Sequence, residues 1–136
     1  MKKIASLFVL LFILNSCSPG DETSYSFELV KIDSVEIPAE FALGQTYPIT
    51  VHYTLPSSCH FFNTIYYDKN LNVRTIAVES AVENRNNCVE TPNSTGTYTF
   101  NFQVTSNGGT YKFRFYQGKD ESGQSIFLEY EVPVTE

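Results

Sequence analysis

Tyr98 to Phe115 reads YTFNFQVTSNGGTYKFRF, and two strands with a break between them are written in it. Tyr98, Phe100, Phe102 and Val104 alternate with Thr99, Asn101 and Gln103. After Asn107-Gly108-Gly109, Tyr111, Phe113 and Phe115 alternate with Lys112 and Arg114. Period-two alternation puts every apolar side chain of a strand on one face and the polar ones on the other. A sheet that is apolar on one face must cover it with a second layer.

The same pattern extends in both directions. Downstream, the charged loop Gly118–Ser125 leads to a last strand through Ile126, Leu128, Tyr130 and Val132. Upstream lie Val73–Val78, Phe61–Tyr67 and Tyr47–Tyr53, separated by the turn residues Asp68–Asn72 and Pro56-Ser57-Ser58. A first strand starts at Tyr25, bends near Asp33-Ser34 and continues to Ile37, where Pro38 ends it. Glu79–Asn84 fits either a strand or one helical turn, and Asn84–Thr95 is a polar loop carrying Cys88 and Pro92. About seven strands over residues 25–136 predict an all-β chain folded as a two-sheet antiparallel sandwich. The alternative takes Asn107-Gly108 as a tight hairpin, which turns the last strands into a meander and permits a small antiparallel barrel.

Gly109-Thr110-Tyr111-Lys112-Phe113 resembles the strand of immunoglobulin-like domains that carries the tyrosine corner. The resemblance implies that Tyr111 bonds back to the backbone of the preceding corner. It places Phe113 where many such domains have their second cysteine.

The N-terminus carries a different message. Met1-Lys2-Lys3 is a positive start, and Ile4 to Leu14, IASLFVLLFIL, is an apolar run with Ser6 its one polar residue. That is the form of a secretory signal peptide, over residues 1–16, and it is shorter than the roughly 20 residues a bilayer span needs. Leu14-Asn15-Ser16-Cys17 resembles the lipobox cut by lipoprotein signal peptidase. The resemblance implies a diacylglycerol on the Cys17 thiol and a further acyl chain, such as palmitate, on the new N-terminus; two or more chains give stable anchoring. An ordinary signal peptide with an incidental cysteine is the alternative. Residues 17–24 would form a lipidated flexible tether. Its Asp21-Glu22 resembles the export signal of surface lipoproteins of the Bacteroidota. The expected address is therefore the cell envelope: anchored by lipid to the outer membrane, with display at the cell surface as an extension.

Removing residues 1–16 would leave 120 residues, enough for one domain, and would take the formal charge from −6 to −8. Such an acidic chain lacks the clustered Lys and Arg that nucleic acid binding requires. Its membrane contact would rest on the lipid alone. With Cys17 assigned to lipid, Cys59 and Cys88 remain as a pair, and secretion favours a disulfide over two free buried thiols. A metal site is not expected, since His60 and Cys59 are strand neighbours facing opposite ways and His52 is the one other histidine. Asp68, Asn70, Asn72 and Glu79 match the spacing of a calcium loop, with Val73 in place of its glycine; an Asx-rich hairpin turn explains them more simply.

Three further features are candidate sites. The loop Lys119-Asp120-Glu121 lies at one end of the sandwich, where binding loops occur. Tyr66, Tyr67 and Tyr116 offer an aromatic platform for a glycan or peptide, or simple sheet packing. Asp33-Ser34-Val35 resembles the tripeptide that receives O-linked glycans on exported Bacteroidota proteins, with Ser34 as acceptor. No nucleophile elbow accompanies the two histidines, and no cofactor motif is present. The reading is a non-catalytic envelope lipoprotein that binds an unknown protein or glycan partner. One alternative is an inhibitor of secreted proteases, because Asn93-Ser94-Thr95-Gly96 resembles the binding-loop motif of small immunoglobulin-like inhibitors of cysteine proteases. Another is a small hydrolase built on a carboxylate pair.

Overall fold

The structure, a computed structural model, describes residues 23–92, 94–106 and 109–135. The signal segment, the lipobox with Cys17 and the acidic pair Asp21-Glu22 lie outside the described residues, as do Asn93, Asn107 and Gly108.

Among the described residues there are nine strands: β1 (Tyr25–Val30), β2 (Ile32–Glu36), β3 (Phe41–Ala42), β4 (Thr46–Thr54), β5 (His60–Asn70), β6 (Val73–Glu83), β7 (Thr95–Gln103), β8 (Thr110–Lys119) and β9 (Ser125–Thr135). They form two sheets, one of six strands in the order β1-β6-β8-β9-β3 with β5 on the other edge of β6, and one of three in the order β2-β4-β7. The expected sandwich is present and the barrel is not. β7 pairs with β4 while β8 pairs with β6 and β9, so the alternative hairpin across Asn107-Gly108 does not form.

Two expectations need correction. Nine strands replace seven, because the first strand is split and β3 is added. Val30 and Ile32 are both buried with Lys31 between them, and at Lys31 the chain leaves the β6 edge and joins β4. The sandwich is also not wholly antiparallel. β3 runs parallel to β9 (Phe41 opposite Val134), and β6 runs parallel to β8 over Val73–Ile76. β1 and β8 thus share one edge of β6, β8 along its first half and β1 along its second. The ambiguous Glu79–Asn84 segment is strand up to Glu83, held between β1 and β5. Pro48 lies in the middle strand β4 beyond the Glu36–Thr50 pair where β2 stops, so no ladder on that side asks it for an N–H; on the other side it stands opposite Asn101 of β7.

The core is the space between the sheets. Ile49, Val51 and Tyr53 of β4 and Phe102 of β7 face Ile76 and Val78 of β6, Tyr111, Phe113 and Phe115 of β8 and Val132 of β9. Phe41 joins this cluster, with its ring 4.9 Å from Tyr47 and 5.3 Å from Phe102; Phe102 meets Phe113 edge-on at 5.1 Å. Edge-to-face pairs at such spacings add about 0.5–1.5 kcal/mol each beyond burial. The Tyr111 hydroxyl accepts hydrogen bonds from the backbone N–H groups of Thr105 (3.3 Å) and Ser106 (3.0 Å), the corner anticipated from its sequence.

Among the described residues one charge enters this core. Arg74, only 3% exposed, lies on the inner face of β6. Its Nη1 donates to the carbonyls of Leu71 (2.6 Å) and Val73 (3.0 Å), and the guanidinium stands 5.0 Å from the Tyr111 ring centre and 5.6 Å from that of Phe102. A desolvated cation over aromatic faces is held by their quadrupoles, which offsets part of its lost hydration. Burial pushes the Tyr67 phenol up, and Arg74 partly counters this.

Candidate functional site

Strand register decides which side chains share the outer face of the six-stranded sheet. Phe27 and Phe61 both stand opposite Ala81, from either side. Tyr66 stands opposite Ala77, Thr75 opposite Arg114, and Tyr116 opposite Phe127. Thr75, Ala77 and Ala81 are small and leave the flanking rings to form the walls of a trough, interrupted by Glu79, which stands between Ala77 and Ala81 and accepts from Asn63 Nδ2 at 2.7 Å. Tyr25, Phe27, Leu29, Phe61 and Tyr66 are all exposed there.

The trough deepens at one place. Leu29, Tyr66, Thr75, Ala77, Tyr116, Ser125 and Phe127 enclose about 220 Å³. The aromatic platform expected from sequence is therefore half assembled: Tyr66 and Tyr116 meet in this hollow, while Tyr67 faces the other way and packs edge-on against Phe100 at 6.0 Å. Alternation along β5 separates the two neighbours. Phe127, Leu29 and the hydroxyls of Thr75 and Ser125 completed the hollow without any sequence signal, because cross-strand register brings them together and not spacing along the chain.

Beside the hollow, Arg114 covers the Phe127 ring, its Cζ 4.0 Å from the centroid. Glu129 fixes this pose by accepting from Arg114 Nε at 3.1 Å and pairing with Lys112 Nζ at 2.7 Å. The Lys112 contact, ahead of Arg114, holds the Glu129 carboxyl below the usual range. A second and larger notch of about 400 Å³ lies where β1 hands over to β2, between Leu29, Val30, Lys31, Thr54, Leu55, Pro56 and Pro92. It offers no aromatic ring.

The remaining candidates are placed as follows. Asp120 is committed to its own turn: its carboxylate accepts from the Ser122 hydroxyl (2.7 Å), the Ser122 N–H (2.8 Å) and the Gln124 N–H (2.9 Å), which together lower its pKa. Lys119 and Glu121 flank it, exposed. Ser34 is exposed on the edge strand β2, opposite His52. Asp68 and Asn70 belong to β5, and Glu79 stands opposite Thr64, so the calcium-loop residues are strung along a hairpin and not wound around a centre. Of the inhibitor-like motif, Thr95 and Gly96 begin β7, and an added Cβ at Gly96 would stand 2.5 Å from the Tyr53 ring. Cys59 and Cys88 form the expected disulfide, Cα–Cα 5.5 Å, between the turn just before β5, where Cys59 is buried, and the exposed loop.

One constellation has no counterpart in the sequence reading. Ser57 Oγ lies 2.7 Å from Nδ1 of His60, and the other ring nitrogen meets the Glu28 carboxylate. Serine, histidine and carboxylate in line resemble a hydrolase relay, but the geometry serves the turn. Ser57 Oγ also accepts the Cys59 N–H at 3.2 Å, and the contact to His60 spans three residues of one chain segment. A nucleophile needs a free approach to a carbonyl and donors aimed at its oxyanion. Here the neighbouring backbone donors are spent: the Cys59 N–H on the hydroxyl itself, the Ser58 N–H on the Val89 carbonyl and the His60 N–H on the Ser57 carbonyl.

No family model, curated protein or solved structure matches the chain.

Proposed function

We propose that the chain is a lipid-anchored cell-envelope protein whose globular part is a non-catalytic binding module, taking the end of a neutral glycan in the outer-face hollow. The observation that carries this is the lining of that hollow: the exposed Tyr66 supplies a ring face, the buried Tyr116 and the Arg114-covered Phe127 supply apolar walls, and Thr75 and Ser125 supply hydroxyls. Ring faces pack against the C–H faces of a sugar, and a few placed polar groups fix its orientation. The small volume fits one ring and not a chain.

The anchor reading rests on the lipobox-like Leu14-Asn15-Ser16-Cys17. Replacing Cys17 by serine and fractionating cells tests it: the parent sediments with the envelope and the variant does not. An unchanged distribution overturns the anchor and leaves the hollow untouched.

The hollow has its own test. Oligosaccharides are titrated against the parent and against Tyr66→Ala, whose exposed ring can be removed without opening the core. At least a tenfold loss of affinity is expected. Equal binding by both chains, or binding of extended peptides alone, overturns the glycan assignment. Labelling of Ser57 by a fluorophosphonate would overturn the non-catalytic reading.

A further inference from the structure

Sheet edges expose unpaired N–H and C=O groups, and most of those in this molecule are blunted in the usual ways: short length, charge or a bulge. β3 has two residues. β2 carries Asp33 and Glu36 and a register break after Ile32. β5 carries Asp68 and Lys69 and a break after Phe62, and β1 carries Glu28. β7 has none of these devices. It is nine residues long, TGTYTFNFQ, without a charge, a proline or a register break against β4, and its other edge is unpaired among the described residues. The sandwich is also open along this side. Phe62 of β5 stacks on Tyr98 of β7 at 5.4 Å, and Tyr67 meets Phe100, yet Phe62, Tyr67 and Tyr98 remain 37%, 44% and 38% exposed.

We infer that the β7 edge is a homodimer interface, where a second copy of this chain adds its own β7 antiparallel about a two-fold axis at Thr99. Two observations favour a second copy over any other occupant. The chain carries a net charge of −6, so two copies repel except where the meeting surface is neutral, and β7 is the long edge that meets this condition. The strand is also self-complementary in one register. With Thr99 opposite Thr99 of the other copy, Tyr98 faces Phe100, Thr97 faces Asn101 and Gly96 faces Phe102. Threonine pairs and aromatic pairs are favourable cross-strand neighbours, and no like charges meet. Two-fold interfaces need this self-matching. The pairing joins two three-stranded sheets into one of six and brings the exposed aromatic rims of both copies together.

The test uses the purified full chain. Sedimentation shows a concentration-dependent dimer for the parent, and Thr99→Lys, which places a charge on the axis, weakens it at least tenfold; at concentrations where both are monomeric the variant still melts cooperatively near the parent, short only of the exposed Thr50–Thr99 hydroxyl bond. A cysteine scan then fixes the register under mild oxidation. Thr99→Cys forms a reducible covalent dimer, because opposed Cα atoms in a strand pair lie within the range a disulfide spans. Thr97→Cys alone does not, and Thr97→Cys combined with Asn101→Cys does. The parent, with the same native cysteines, stays uncrosslinked. A parent that is monomeric at every concentration overturns the inference. So does a dimer indifferent to Thr99→Lys, or equal crosslinking of Thr97→Cys and Thr99→Cys.

Discussion

Tyr111 does two jobs with one side chain. Its ring fills the centre of the core beneath Arg74, and its hydroxyl accepts two backbone N–H groups at the corner before β8. Tyr111→Phe keeps the ring and removes the acceptor, which should cost about 1–3 kcal/mol, the penalty for stranding a part-buried donor; urea unfolding with an unchanged m-value would show it. Gly96 is required for a different reason. Its backbone is extended, but the Tyr53 ring lies against it, 2.5 Å from where a Cβ would stand. Gly96→Ala should destabilise by about 1–3 kcal/mol, the usual range for overpacking. The same change made in a Tyr53→Leu background should cost clearly less. Additive costs in that double variant would show that the ring is not what confines Gly96.

Elements show what period two can and cannot reveal. β4, β7, β8 and β9 were legible because each alternates over many residues with one face in the core. β3 was not, since two residues have no period; only the aromatic cluster around Phe41 makes it an element. The bend expected near Asp33-Ser34 coincides with the register shift between Ile32 and Ser34, whereas the change of partner at Lys31 was not legible, because alternation runs unbroken from Val30 to Ile32. The disulfide could be read from cysteine arithmetic. The chain-entropy model puts the stabilisation from closing its 29-residue separation at about 3–4 kcal/mol. Replacing both cysteines by alanine should lower stability by at least that amount, because the fully buried Cys59 also loses its packed sulfur. In the β8–β9 turn, the lowered Asp120 pKa fixes the sign of a pH effect. Its ionised form is favoured in the folded state, so its contribution is complete above the ordinary aspartate value and is lost as pH falls through the lowered one. The melting temperature of Asp120→Ala should lie below that of the parent at neutral pH. The gap should begin to close once pH drops below about 3.9, and a gap independent of pH would contradict the turn role.

For the molecule as a whole, the sandwich was legible and the outer-face hollow was not. Tyr66 and Tyr116 could be singled out as rings, yet only the pairing of β5 with β6 and of β6 with β8 shows that they converge while Tyr67 does not. Convergence is a property of register, and sequence patterning carries register only where one face is buried. The proposed glycan hollow lies on the outer face of the larger sheet, and the proposed dimer edge belongs to the smaller one. Tyr66→Ala and Thr99→Lys should therefore act independently, each leaving the other's readout unchanged.

The rung between Phe41 and Val134 joins points near opposite ends of the domain, and the Tyr25–Val30 strand closes on residues some fifty positions later. Such long loops must close before their contacts repay the lost chain freedom. Refolding of this domain should therefore be slow for its size, on the order of milliseconds to seconds. Newly made chains would then pass through a period with the apolar β7 segment uncovered, when dilution and a companion that shields exposed strands would matter most.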